Sequence, residues 1–147
     1  MDLRARVATD ADVASILPMM IEFNAHEEIA FDPASGEPIL RELMRRPDLG
    51  CVIAFETDRI VGYAIVTYGF DLEFGGRDAF LTELFLVKDV RGQGAGKRAL
   101  EHVFDFARTN GVHALHLQVR DDNPHAARLY ERAGFETPAR KLMTKRL

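Results

Sequence analysis

Polar and apolar positions along the chain change period several times, and each change marks an element. Leu3 to Val7 alternates enough for a short strand. Ala11, Ile16, Met19, Met20 and Phe23 are spaced as on a helix, with Thr9 a natural N-cap and Asp10 and Asp12 in the first turn. Pro18 lies inside this stretch and is expected to kink it or divide it in two. Asn24 to Glu37 is polar and reads as a loop; Pro38 to Arg46 reads as a second short helix, stopped by Pro47. Cys51–Glu56 and Ile60–Tyr68 are β-rich runs joined by a hairpin-length Thr57-Asp58-Arg59. The glycines and acids of Gly69–Arg77 predict a loop. Ala79–Val87 is apolar on both alternating faces, as a central strand is.

From Gly94 to Thr109 the period returns to that of a helix: Leu100, Val103, Phe104 and Ala107 form one stripe, and Gly111 ends it. Val112–Val119 reads as a strand. Pro124–Ala133 reads as a helix with Asn123 at its N-cap, Pro124 at N1 and Gly134 closing it. Phe135 onward predicts two short final strands, the last around Lys141–Arg146. The predicted order is β α α β β β α β α β β, a mixed α/β (α+β) domain with an antiparallel first half. The unit 79–119 should make two strands parallel through a crossover helix.

The length suggests one domain over residues 1–147, large enough to bury a core without disulfides or metal. A net charge of −4 argues against nucleic acid, whose binding usually requires a basic patch. Cys51 is the only cysteine, so no internal disulfide forms and a Cys/His zinc cluster is not expected; no metal is assigned. No apolar run approaches a membrane span and the N-terminus lacks a signal-peptide core. A reducing, cytoplasmic location is expected.

The chemistry concentrates in Arg91-Gly92-Gln93-Gly94-Ala95-Gly96-Lys97, between an apolar strand and a helix. A P-loop fails at two positions: Arg91 stands where its first glycine belongs and Arg98 where Ser/Thr belongs. Gly94-Ala95-Gly96-Lys97-Arg98-Ala99 fits a dinucleotide fingerprint in letters, but six residues separate it from the strand and the preceding half is not a βαβ array. A third reading is a pyrophosphate cradle: glycines that aim N–H groups at one point, a helix N-terminus, and formal charge from Arg91, Lys97 and Arg98. A plain glycine-rich connection with solvated basic residues is the bland alternative.

Arg91–Gly96 resembles the Arg/Gln-x-x-Gly-x-Gly/Ala signature of the Gcn5-related N-acetyltransferases (GNAT). Asn123 to Phe135 resembles the same family's Asn-x-x-Ala-x-x-Leu-Tyr-x-x-x-Gly-Phe helix. Glu83-Leu84-Phe85 is weakly similar to polyamine and thialysine acetyltransferases. The resemblance implies a mostly antiparallel mixed sheet in which Ala79–Val87 and Val112–Val119 splay apart around acetyl-CoA, the co-substrate. Leu84, Phe85 and Leu86 would pair with the pantetheine arm, with a bulge there. Arg91, Gly92, Gln93, Gly94, Ala95, Gly96 and Lys97 would hold the pyrophosphate, and Asn123 would touch the coenzyme. Lys88 stands where many members carry proline.

The implied reaction is direct attack of a primary amine on the thioester in a ternary complex. An amine must first lose its proton, and the leaving thiolate benefits from gaining one. Glu83, in an apolar strand, is the candidate base, against a locally paired carboxylate. Tyr130 is the candidate acid, against a plain core tyrosine on the stripe Ala126, Leu129, Tyr130 and Ala133. His26, Glu27, Glu28, Asp71 and Glu73 are candidate acceptor-side residues for a small cationic amine. His113, His116 and His125 read as surface residues. A homodimer pairing the last strands is compatible with the resemblance. The competing class is a non-catalytic acyl-CoA-binding or sensor module of the same fold.

Overall fold

The computed structural model describes residues 2–147. Five strands form one sheet in the order β1-β2-β3-β4-β5: β1 (Arg4–Val7), β2 (Gly50–Glu56), β3 (Ile60–Asp71), β4 (Gly76–Leu86) and β5 (Ala114–His116). The first four are antiparallel neighbours, and β5 runs parallel to β4. Four helices flank the sheet: α1 (Val13–His26), α2 (Pro33–Arg45), α3 (Ala95–Thr109) and α4 (Pro124–Arg132).

The sheet separates two apolar layers. On β2, Val52 and Ala54 face α1 and α2, where they meet Val13, Ile16, Met20 and Leu40. Ile53 and Phe55 face the other way, onto Leu100 and Val103 of α3. One strand therefore feeds two cores by its two-residue period.

Several expectations change. Pro18 does not divide α1: the helix continues through it, at the cost of the single backbone bond that proline cannot donate. The predicted loop 24–37 is mostly helical. Asp32 caps α2, accepting from the Ala34 N–H at 3.0 Å, with Pro33 at N1, a start signal present in the sequence. The loop at 69–77 shrinks to a short 3-10 turn, Leu72–Phe74, because β3 and β4 both run into it. The strand expected over 112–119 is only Ala114–His116. The two strands expected after Phe135 do not form.

The Thr9 cap is realised with its partner three residues on. Asp12 is buried and accepts from the Thr9 N–H (2.7 Å) and from Arg6 Nη1 (2.7 Å) and Nη2 (2.9 Å), which ties β1 to the entry of α1. The Arg6 guanidinium holds the Asp12 carboxyl down at about 2. A depressed carboxyl stabilises the fold above its unfolded pKa and loses that contribution as pH falls through about 2. Asp12→Asn is expected to lower stability by about 2 kcal/mol at neutral pH, the scale of charge-assisted bonds lost beside a buried amide. The variant should also show a flatter acid limb in thermal melts followed against pH. An unchanged melting temperature would refute this.

Candidate active site

The site begins with an irregularity in β4. Ile65 pairs with Glu83, but the next residue of β3, Val66, pairs with Leu81, so Thr82 is an extra residue. Its hydroxyl donates to the Ile65 carbonyl at 3.3 Å. An extra residue inverts the phase of every side chain beyond it. Ala79 and Leu81 face α3 before the bulge; Leu84 and Leu86 do so after it. Glu83 and Phe85 are thereby turned to the α1 side. The bulge thus precedes Leu84–Leu86 rather than lying within it, and that run pairs regularly with Ala64, Tyr63 and Gly62.

On the α1 side Glu83 meets Tyr63, which is fully buried. Tyr63 Oη donates to Glu83 Oε1 at 2.7 Å, and the Tyr63 ring stacks on Phe85 at 6.2 Å. Burial raises the Glu83 carboxyl above the ordinary range, and the Tyr63 hydrogen bond partly opposes that. Burial foremost, then the Glu83 charge, pushes the Tyr63 phenol far up, so Tyr63 stays a donor.

The far edge of β4 is free over most of its length. β5 pairs only with Asp78, Ala79 and Phe80; beyond His116 the two segments part. The gap is a cleft of about 770 Å³. Leu81, Thr82, Leu84, Phe85 and Leu86 form one wall, and Leu117 to Arg120 the other. Asn123, Ala126 and Tyr130 of the α4 region also face it, as does the end of α1 from His26 to Ile29. A strand edge with open backbone groups beside a cleft of mixed polar and apolar lining suits an extended, amide-bearing ligand.

At one end of this wall stands the glycine turn. Gly92, Gln93 and Gly94 take left-handed backbone in succession (φ 82°, 53° and 77°), which glycine adopts without strain. Ala95 N–H is bound to the Gly92 carbonyl and Arg98 N–H to that of Gly94. The N–H groups of Gln93, Gly94, Gly96 and Lys97 have no backbone acceptor among the described residues. Four open donors at a helix N-terminus fit an anion such as a pyrophosphate. Arg91 also faces the cleft; its Nε donates to the Leu86 carbonyl at 2.7 Å and its guanidinium lies 5.2 Å from the Phe85 ring centroid. Gly96 is small for a packing reason as well, since a Cβ there would approach Leu129 of α4 to 3.1 Å.

Asn123 caps α4, accepting from the Ala126 N–H at 3.1 Å, and faces the cleft from that position. Tyr130 packs edge-on against Phe135 at 5.8 Å. Its hydroxyl has no hydrogen-bond partner among the described residues, so the phenol is not a fully satisfied core group. Burial first, then the negative charge of Glu27, raises its pKa. Glu83 and Tyr130 stand on opposite sides of the sheet. Glu83 itself does not line the cleft, although its neighbours Thr82 and Leu84 do.

The acceptor-side candidates separate. Glu27 and Glu28 reach the cleft with His26, whereas Asp71 and Glu73 do not. Asp71 caps the 3-10 turn and Glu73 binds Arg140 at 3.2 Å. Glu28 is joined to Arg120 at 3.1 Å, a bridge from the α1–α2 connection to the opposite wall. Glu27 is half-buried and, among the described residues, has no cationic partner. His116 is not a plain surface residue: its Nε2 lies 2.9 Å from Oδ2 of the buried Asp78, with Phe74 and Phe80 on its ring, at the point where β4 and β5 diverge. Neither the Tyr63 bond nor this pair leaves a mark in the local sequence pattern, because the partners are 20 and 38 residues apart.

A mixed sheet whose two parallel strands open around a cleft, with a glycine turn at one end and a phenol facing the gap, can hold an extended ligand with an anionic end. Residues 17–135 match the Acetyltransferase (GNAT) family, and the chain belongs to it. It is 30% identical over 134 residues to YhfO, an uncharacterized N-acetyltransferase of Bacillus subtilis, covering 91% of this chain and 90% of that one. It is 26% identical to the thialysine N-epsilon-acetyltransferase of Mus musculus, covering 90% and 84%. The solved integron cassette protein HFX_CASS3, from the mobile metagenome of Cole Harbour Salt Marsh, superposes with a TM-score of 0.84 at 31% identity, covering 97% and 90%. No helix is long and apolar enough to cross a membrane among the described residues.

Proposed function

We propose that this N-acetyltransferase moves the acetyl group of acetyl-CoA to a primary amine of a small cationic molecule, by direct attack in a ternary complex. The observation that carries the reading is the convergence on one cleft of an open β4 edge, Arg91, and a phenol and a carboxylate without partners among the described residues, with four open N–H groups in the glycine turn that follows. When bound, acetyl-CoA supplies the thioester carbon that the amine attacks. The backbone of Leu84, Phe85 and Leu86 holds the pantetheine arm. Residues Arg91 to Lys97 hold the pyrophosphate, and Asn123 borders the coenzyme from its cap position.

Glu27 holds a positive charge of the acceptor, as a half-buried carboxylate without a cationic partner among the described residues can. The similarity to an enzyme named for thialysine supports that class of acceptor. Glu83, reached between Thr82 and Leu84, takes the amine proton through water. Tyr130 gives a proton to the leaving sulfur.

Thiol release measured against a panel of amines tests this. Free thiol should appear only when acetyl-CoA and a cationic amine are both present. Glu27→Gln should raise KM for a diamine about tenfold, near 1.4 kcal/mol, while changing KM for a monoamine less. Failure to bind acetyl-CoA would overturn the reading. Binding without turnover on any amine would favour a sensor module.

A further inference from the structure

The glycine turn owes its shape to its carbonyls as much as to its glycines. Three successive peptide carbonyls fold back toward α3. That of Gly92 accepts from the Ala95 N–H at 3.0 Å, and that of Gly94 from the Arg98 N–H at 3.1 Å. Between them, the Gln93 carbonyl has no backbone donor among the described residues and accepts instead from Arg98 Nη2 at 3.1 Å. Two of the three anchors are main-chain bonds. The third depends on one side chain.

Gln93 is also the strained member of the turn. Unlike its glycine neighbours it carries a Cβ, and at φ 53° that Cβ crowds the backbone. Arg98 gives up hydration to reach it. Its Nε is buried with no hydrogen-bond partner, the one such side-chain atom among the described residues. A buried donor left open is a cost that packing alone does not explain. A strained peptide and a partly satisfied guanidinium thus meet at one bond.

We infer that Arg98 is a positioning residue of the coenzyme cradle: by pinning the Gln93 carbonyl toward the helix, it fixes the Gly94 N–H outward. In a planar trans peptide the C=O of one residue and the N–H of the next point opposite ways. The Gly92 carbonyl sets the Gln93 N–H in the same manner, through Ala95. The Gly94 N–H, another of the four open donors, has its direction set by a side chain. Arg98 does this from outside the cleft, which it does not line. The inference rests on the proposed reading of residues 91–97 as the pyrophosphate site and adds a residue that acts through that site's backbone.

NMR of the full chain tests it, first without ligand. In Arg98→Met, which keeps the apolar stem, the Gln93 carbonyl carbon should move upfield, as a carbonyl does on losing its donor. Arg98→Lys keeps one reaching donor and should leave that signal in place. Arg98→Gln, whose amide ends short of the Nη2 position, should behave as Arg98→Met and serves if that variant does not fold. Inorganic pyrophosphate should then shift the Gln93 and Gly94 amide protons downfield in the wild type and in Arg98→Lys. In Arg98→Met it should shift only that of Gln93. By calorimetry the Kd for CoA should rise about tenfold in Arg98→Met, near 1.4 kcal/mol, and less than about threefold in Arg98→Lys. An unmoved Gln93 carbonyl in Arg98→Met, equal Gly94 shifts in wild type and Arg98→Met, or equal loss of affinity in the Met and Lys variants would each overturn the inference. So would loss of every turn shift in Arg98→Met together with a lower melting temperature, the mark of a merely structural residue. A wild type in which neither pyrophosphate nor CoA shifts any turn amide would overturn the proposed function and this inference with it. A wild type that binds CoA while the Arg98→Met carbonyl stays unmoved overturns this inference alone.

Discussion

Tyr130→Phe is expected to lower kcat and kcat/KM together by about 10²- to 10³-fold, with acetyl-CoA binding unchanged. The substitution removes one oxygen. The ring keeps its edge-on packing with Phe135, and no hydrogen bond to the described residues is lost with the hydroxyl, so stability should move by no more than about 0.5 kcal/mol. What disappears is a proton donor facing the cleft. Its pKa is raised by burial and by Glu27, so the phenol stays protonated through neutral and mildly alkaline pH. A raised acid is a weaker donor in water, but the same burial disfavours the departing thiolate, so both partners are shifted in one direction. The sign gives a second check. Removing the Glu27 charge lowers the Tyr130 pKa, so the alkaline limb of the kcat profile should move to lower pH in Glu27→Gln. Full activity in Tyr130→Phe would leave the phenol as packing and the proton to solvent.

The legible parts of the fold were those set by local period and by caps. Thr9, Asn123, Pro124, Gly111 and Gly134 each act within a few residues of where they stand, and each appears where its chemistry places it. The glycine turn was legible for the same reason. The bulge at Thr82 was not, because a strand apolar on both faces carries no phase that a one-residue insertion would break. Its position decides which core Glu83 faces, so the surroundings of the candidate base were hidden too. Tyr63 reads as one more apolar residue of β3, and only the register to β4 reveals its bond to Glu83. The last strands failed differently. Lys141–Arg146 has strand-compatible residues, but a strand also requires an edge to pair with, and no backbone hydrogen bond is made from residue 136 on among the described residues.

Glu83→Gln is expected to reduce kcat/KM by about 10²-fold at neutral pH while leaving the fold as stable as before or more so. The two effects have one cause. Burial raises the carboxyl, so the folded protein binds this proton more tightly than the unfolded chain does. Stability on that account is greater below the window and falls as pH rises through the folded pKa, because the charge must then be borne in a desolvated place. The neutral amide escapes that penalty and still accepts from Tyr63 Oη. As a base, however, only the charged form acts, so the acid limb of kcat/KM should lie above the ordinary carboxylate range. Tyr63→Phe separates base from bystander. The Tyr63 bond lowers the Glu83 pKa, so its removal should carry the acid limb further up while the plateau rate is retained. If Glu83 merely anchors Tyr63, the limb will not move in Tyr63→Phe, and Glu83→Gln will keep its rate.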